Sequence, residues 1–315
     1  MKNFLLIICL LVFPSFMVTD KVCCDYIATG YYQLIHEADM DYLSGNKEEA
    51  YRKISEAKNN CNLLNQPMYR EMSQYVELSS ERDKFDEAIH YITILVKEYG
   101  YSSDFFEQQD YFQHLSSNID WNIIKTELDR LNELFYTEER VQLAEELKEM
   151  FNKDQAIRKM AEDSIMSENF WQTWLRIDST NEQRMKEIIE QYGYPNERLI
   201  GFKNFMLASS ITTMIMHFED TAYFKPVLLQ FIKQGKCEPR TLGSFVDSRQ
   251  RMDTRTDKYI YRIYDNAEDH EIWDIANLDN RRQAIGLPCM EMKHKRDSLL
   301  SIFYNIEVSS IRLGE

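Results

Sequence analysis

Small residues placed at helical spacing constrain the fold of this chain more than any other feature. Ala38, Gly45, Ala50 and Ala57 fall within paired amphipathic helix patterns that run from Tyr26 to about Tyr99. Small side chains at such positions let two antiparallel helices approach closely. The spacing predicts a helix hairpin. A second hairpin follows, with Ala88 in the place of Ala50, with Tyr75, Val76, Ile92 and Leu95 as packing positions, and with Asp83 standing where the first has Gly45. The loop Leu63 to Pro67 absorbs the extra length of the second interval.

The segment Ala38 to Ala50 is similar to a tetratricopeptide repeat, which implies a surface for a protein or peptide partner. A third unit departs from the pattern. Its Asp104-Phe105-Phe106, Phe112, Leu115, Trp121, Ile124 and Leu128 read as a cap over the last repeat's apolar face, with an aromatic peptide-binding patch as the alternative. Near Glu133 to Glu139 the repeat pattern gives way to a long helix pattern carrying Val141, Leu143, Leu147, Met150 and Phe151. Thr180 with Gln183 reads as a capping box, and the helix after it stops at Gly193 and Pro195. A further helix runs from Gly201 towards Phe218, and Asp220 caps the next. The alternation in Lys258 to Tyr264 suits a short strand or an extended arm. These readings predict a mainly α fold with at most a small β ribbon. They divide the chain into a signal peptide (1–22), tetratricopeptide-like repeats with an aromatic cap (23–132) and a helical domain (133–315).

Composition narrows what such a chain does. With 315 residues, 44% of them hydrophobic, it can bury a sizeable core. A net charge of -15 and a pI near 5.0 oppose a broad phosphate-binding surface, so no nucleic-acid partner is expected. The start, Met1-Lys2-Asn3 followed by the apolar run Phe4 to Phe13, has the form of a secretory signal, the alternative being a buried N-terminal helix. Nothing beyond it is long and apolar enough to cross a membrane. Export to the periplasm or cell envelope is therefore expected. Without the signal, Cys23, Cys24, Cys61, Cys237 and Cys289 remain. An antiparallel first hairpin brings its two ends together, which predicts a disulfide between Cys61 and Cys23 or Cys24. No Cys/His spacing supports a zinc site, and no glycine-rich phosphate loop, nucleophile elbow or H-E-x-x-H is present. No cofactor or metal is expected.

The C-terminal half carries polar residues against an apolar helical background: Asp154-Gln155 with Arg158, Tyr192-Gly193-Tyr194-Pro195, Gly201, His217 with Asp220, Asp247 with Arg249, Tyr264, and Arg281-Arg282 before Gly286-Leu287-Pro288. This string resembles a bacterial domain-of-unknown-function family, number six-six-two-four, over roughly Glu138 to Glu307. The resemblance implies a helical domain with an inward-facing Asp-Gln-x-x-Arg start, a mid-domain His and a late Arg-Arg. Asp247-Ser248-Arg249 departs from the adjoining Asp-Arg of that family.

From the residues themselves, His217 is a general base or ligand candidate with Asp154, Asp220 or Asp247, or else a hydrogen-bonded His beside a helix cap. Asp154 and Arg158 lie four apart on one helix face, the spacing of an ordinary ion pair. Gln155, Arg158, Arg281 and Arg282 are candidates to hold a ligand, because an inward Arg can clamp a carboxylate or phosphate. The alternative for the two late arginines is a buried pair with Asp178 or Asp247. Three functions follow as expectations. The first is a binding protein with a partner on its repeats and a small polar or anionic ligand in its C-terminal domain. The others are a hydrolase built on His217 and a scaffold without a site.

Overall fold

A computed structural model of the protein describes residues 24–162, 167–254, 258–264 and 268–303. The expected signal segment and Cys23 lie outside these residues. The described chain is mainly α, as expected, with fifteen α-helices and no β-strand among the described residues.

Helices α1 (Tyr31–Leu43) and α2 (Lys47–Asn60) form the first hairpin, and α3 (Glu71–Ser80) and α4 (Phe85–Tyr99) the second. Ala38, Ala50, Ala57 and Ala88 are all buried where the paired helices approach. Both turns hold a left-handed residue, with φ of 79° at Gly45 and 57° at Asp83. Cys24 is joined to Cys61 across the base of the first hairpin, with Cα atoms 5.9 Å apart.

Three further helices, α5 (Ser103–Glu107), α6 (Phe112–Asn118) and α7 (Trp121–Phe135), cover the second hairpin, and α7 lies along α4. Phe106, Leu115 and Leu128 are buried there, which is the packing a cap requires.

The second half begins with two long antiparallel helices, α8 (Glu138–Glu162) and α9 (Glu168–Tyr192). Arg184 pairs with Glu146 at 2.6 Å and the Asn181 amide donates to the Met150 carbonyl at 3.2 Å, fixing their register. The capping box expected at Thr180 is corrected by this geometry. The helix starts at Ser167, whose hydroxyl accepts from the Phe170 amide at 3.3 Å, and it runs unbroken through Thr180 and Gln183. Short α10 (Glu197–Ile200), then α11 (Phe205–Ile215), α12 (Thr221–Lys233) and α13 (Pro239–Thr254) complete the bundle. Residues 258–264 form an extended arm that makes one isolated parallel bridge, Tyr259 to Ile272. Helices α14 (Leu278–Ala284) and α15 (Met290–Phe303) follow it.

One hydrophobic core extends from Tyr26 to Leu287 and draws on both halves. Polar contacts stitch the same seam. Arg296 on α15 pairs with Asp39 on α1 at 2.6 Å, the Tyr32 hydroxyl donates to the Ile232 carbonyl at 2.6 Å, and His36 Nε2 lies 2.9 Å from the Gly286 carbonyl. Between α7 and α8 the chain turns at Tyr136, whose ring packs where Gly100 and Gly201 have no side chain. Its hydroxyl donates to the Gly100 carbonyl at 2.8 Å and accepts from the Lys203 amide at 3.2 Å.

Candidate functional site

Asp154 and Arg158 are one helical turn apart on α8, and Trp174 and Asp178 are one turn apart on α9. The antiparallel packing of the two helices sets these faces against each other, and the turn after α11 brings His217 onto them. Asp154 is fully buried and accepts from His217 Nδ1 at 3.0 Å through Oδ1. The Arg158 guanidinium reaches the same oxygen at 2.8 Å. Gln155 donates to Asp154 Oδ2 at 2.7 Å. A buried carboxylate is stable only when its oxygens are met in this way.

Arg158 links the rest of the cluster. Its Nε donates to His217 Nε2 at 3.1 Å, one terminal nitrogen donates to the Asp154 carbonyl at 2.9 Å, and the other meets both Asp178 oxygens at 3.0 and 3.1 Å. Because Arg158 can only donate, His217 Nε2 is the unprotonated nitrogen and Nδ1 carries the proton given to Asp154. The Nε2 lone pair of His217 is thus covered by a guanidinium. Trp174 donates its indole N–H to Asp178 at 2.8 Å, while its ring lies 5.0 Å under the Arg158 guanidinium. Trp171, 42% exposed, stacks on Trp174 with ring centroids 5.5 Å apart. The side chains of Arg158, His217 and Asp178 remain 17, 22 and 16% exposed, so solvent reaches the cluster at its rim.

The other candidates sit elsewhere. Asp220 caps α12 through the Tyr223 amide at 3.0 Å and pairs with Lys186 at 2.8 Å, with no bond to His217. Asp247 is buried and accepts from the backbone amides of Ile260, Tyr261 and Ile263 at 2.7, 2.8 and 3.0 Å. Burial pushes its carboxyl above the ordinary range, against the lowering effect of those three amides and of Arg282. Arg281 donates to the carbonyls of Ile260 at 3.1 Å and Asp274 at 2.9 Å. Arg282, buried, donates to Pro288 at 2.7 Å and to the carbonyls of Tyr261 and Arg262. Asp247 and the two arginines therefore hold the backbone of the 258–264 arm, Asp247 accepting from its amides and the arginines donating to its carbonyls. Asp178, weighed above as a partner for the late arginines, serves Arg158 instead.

Arg249 is 4% exposed, its Nε has no hydrogen-bond partner, and among the described residues a terminal nitrogen lies 2.6 Å from the Met252 sulfur. The neighbouring Ser248 hydroxyl donates to the Met216 carbonyl at 3.0 Å, which places Arg249 and His217 on adjoining stretches of backbone. Trp174 was missed by the sequence reading, and Asp178 was weighed there only as a partner for the late arginines. Their signal was an indole donor and a carboxylate one turn apart on an otherwise polar helix.

Among the described residues, no group of three or more His, Cys, Asp or Glu side chains is placed to hold a metal ion. No helix among them is long and apolar enough to cross a membrane.

Fold and cluster together define a class: an all-helical protein whose second half pins a buried Asp–His–Arg network between two long helices. The family model described as Family of unknown function (DUF6624) matches residues 141–308, more than half of the chain, and the protein belongs to that family. No curated protein and no solved structure matches it.

Proposed function

We propose that the protein is an exported binding protein that takes a small anionic ligand at Arg158, with Asp178 holding the ligand's place as an internal carboxylate. The observation that carries this reading is the pairing of one Arg158 nitrogen with both oxygens of Asp178, beside an indole N–H and a half-exposed tryptophan face. An incoming carboxylate or phosphate that displaces Asp178 finds the same guanidinium and indole donors, and a monocarboxylate brings the same single negative charge to them. Export is supported by the Cys24–Cys61 disulfide, since such bonds persist in oxidising compartments. The two N-terminal hairpins, read as tetratricopeptide-like, are the proposed docking surface for a protein or peptide.

Titration calorimetry with acetate and with inorganic phosphate tests the site. Asp178→Asn removes the internal competitor and should bind one of these anions at least tenfold more tightly than the wild-type protein, whereas Arg158→Ala should bind neither. A folded Asp178→Asn protein that binds neither anion refutes the reading.

A hydrolase is the second reading, favoured by the 3.0 Å bond from His217 Nδ1 to buried Asp154, the orientation a carboxylate gives a general base. It requires Arg158 to leave His217 Nε2. Ester hydrolysis by Arg158→Met that disappears in the Arg158→Met/His217→Ala double variant would establish it.

A further inference from the structure

Helix α15 closes the described chain by lying along α1 of the first hairpin, away from the Arg158 cluster. It adds little to the interior. Met290, at its start, is its one buried side chain, and it packs with Tyr259, Ile272 and Leu278 in a small cluster separate from the main core. From Glu291 onward every side chain of α15 is partly or fully exposed, and Ile302 and Phe303 at its end are 77 and 50% exposed. Helices in folded proteins are held mainly by the apolar face they bury, and α15 buries little of one.

Arg296, by contrast, is well seated. Its Nε donates to Asp39 Oδ2 at 2.6 Å, a terminal nitrogen donates to the Met68 carbonyl at 2.9 Å, and its guanidinium carbon lies 4.8 Å from the centre of the Tyr69 ring. Asp39 is 3% exposed, and Gln74 on α3 donates to its other oxygen at 3.1 Å. A carboxylate on α1, a carbonyl and an aromatic ring ahead of α3, and an amide on α3 thus build one receptor to which both hairpins contribute. Carboxylate, carbonyl and ring face together suit a planar guanidinium better than an ammonium. Phe303, two helical turns beyond Arg296, packs on Tyr42, one turn beyond Asp39, with ring centroids 6.2 Å apart. Charge matches as well. Helix α1 carries Glu37, Asp39 and Asp41 with no Lys or Arg, while α15 holds the run Lys293-His294-Lys295-Arg296. Lys53 meets Glu37 and Asp41, which leaves Asp39 to α15.

We infer that α15 is the internal occupant of a peptide-docking surface, and that the external partner presents an amphipathic helix with an arginine and an aromatic side chain seven residues apart. This rests on the reading of the hairpins as a docking surface and is independent of the proposal for Arg158. An incoming arginine takes over Asp39, the Met68 carbonyl and the Tyr69 ring as Arg296 leaves, so the buried carboxylate keeps a cation throughout the exchange. A tethered segment competes at an effective concentration on the order of 1 mM. A partner therefore prevails only by burying more apolar surface than α15 does, and weak partners are kept out.

The test uses the full-length protein, with a fluorescein-labelled peptide of residues 289–303 carrying Cys289→Ser as the probe. By fluorescence anisotropy, Arg296→Ala protein, whose own helix has lost its anchor, should bind this peptide at least tenfold more tightly than wild-type protein does. A peptide that also carries Arg296→Ala should lose that gain, and retention of the gain overturns the inference. Equal binding of the first peptide by both proteins overturns it too, but leaves a docking surface elsewhere on the hairpins. Binding by neither protein removes the docking surface at α1 as well. If Arg296→Ala fails to fold, hydrogen exchange on the wild-type protein decides. Excess peptide should at least double the exchange rate of the protein's own α15 amides by displacing that helix, and an unchanged rate overturns the inference.

Discussion

Asp154 and His217 are bonded to each other, yet their removal has unequal consequences. Without His217, Asp154 Oδ1 keeps the Arg158 guanidinium at 2.8 Å, and Oδ2 keeps Gln155. Without Asp154, the mostly buried Arg158 loses its innermost partner. Breaking a buried pair in this way costs about 3 to 5 kcal/mol, so Asp154→Ala should lose that much in urea denaturation while His217→Ala loses less than about 1 kcal/mol. Equal losses would make His217 a structural residue and remove it from the site. Glu71 offers a second test at this scale. Burial pushes its carboxyl up to about 8 from an ordinary 4.5, although it accepts from the Gln66 amide and the Tyr31 hydroxyl. Between those two values the unfolded chain is ionised and the folded one protonated, so the folded state binds the extra proton and stability falls as pH rises. The melting temperature should drop between pH 5 and pH 8, and Glu71→Gln should flatten that drop by several degrees. An identical slope in the variant would place the pH dependence elsewhere.

Among the elements, the hairpin turns and the Tyr136 corner separate two uses of glycine. Gly45 has φ 79° and open space around it, so Gly45→Ala incurs only the left-handed penalty, about 1 to 2 kcal/mol. Gly201 has φ 87°, and an added Cβ would sit 2.6 Å from the Tyr136 ring. Gly201→Ala should therefore lose at least twice as much in the same chemical denaturation series. The helices themselves were readable in the sequence because amphipathic spacing persists through each of them, and Ala38, Ala50 and Ala88 marked the close approaches. Thr180 misled because a cap signature inside a long polar helix has no local feature that cancels it. Only the facing helix shows that α9 continues. The site was half legible for a related reason. Asp154, Arg158 and His217 stood out by spacing and by resemblance, whereas Trp174 and Asp178 matter only through the register of α9 on α8. Asp247, Arg281 and Arg282 stood out equally, but each is engaged with backbone groups of the 258–264 arm. A sequence does not distinguish a charge that holds a loop from one that meets a ligand.

For the whole molecule, the shared core implies that the halves unfold together. Near-ultraviolet circular dichroism and far-ultraviolet circular dichroism should give coincident thermal transitions, and two separated transitions would show that the seam is not cooperative. The Asp39–Arg296 pair also sets a timetable. Its partners are 257 residues apart, and at ribosomal rates of about 5 to 20 residues per second the second emerges roughly 13 to 50 s after the first. Throughout that interval the outer side of α1 awaits its covering helix. The nascent chain therefore passes through a long stage in which its first hairpin is made but not yet closed, and holding factors such as chaperones have their opportunity to engage it then. The arrival of α15 ends that stage.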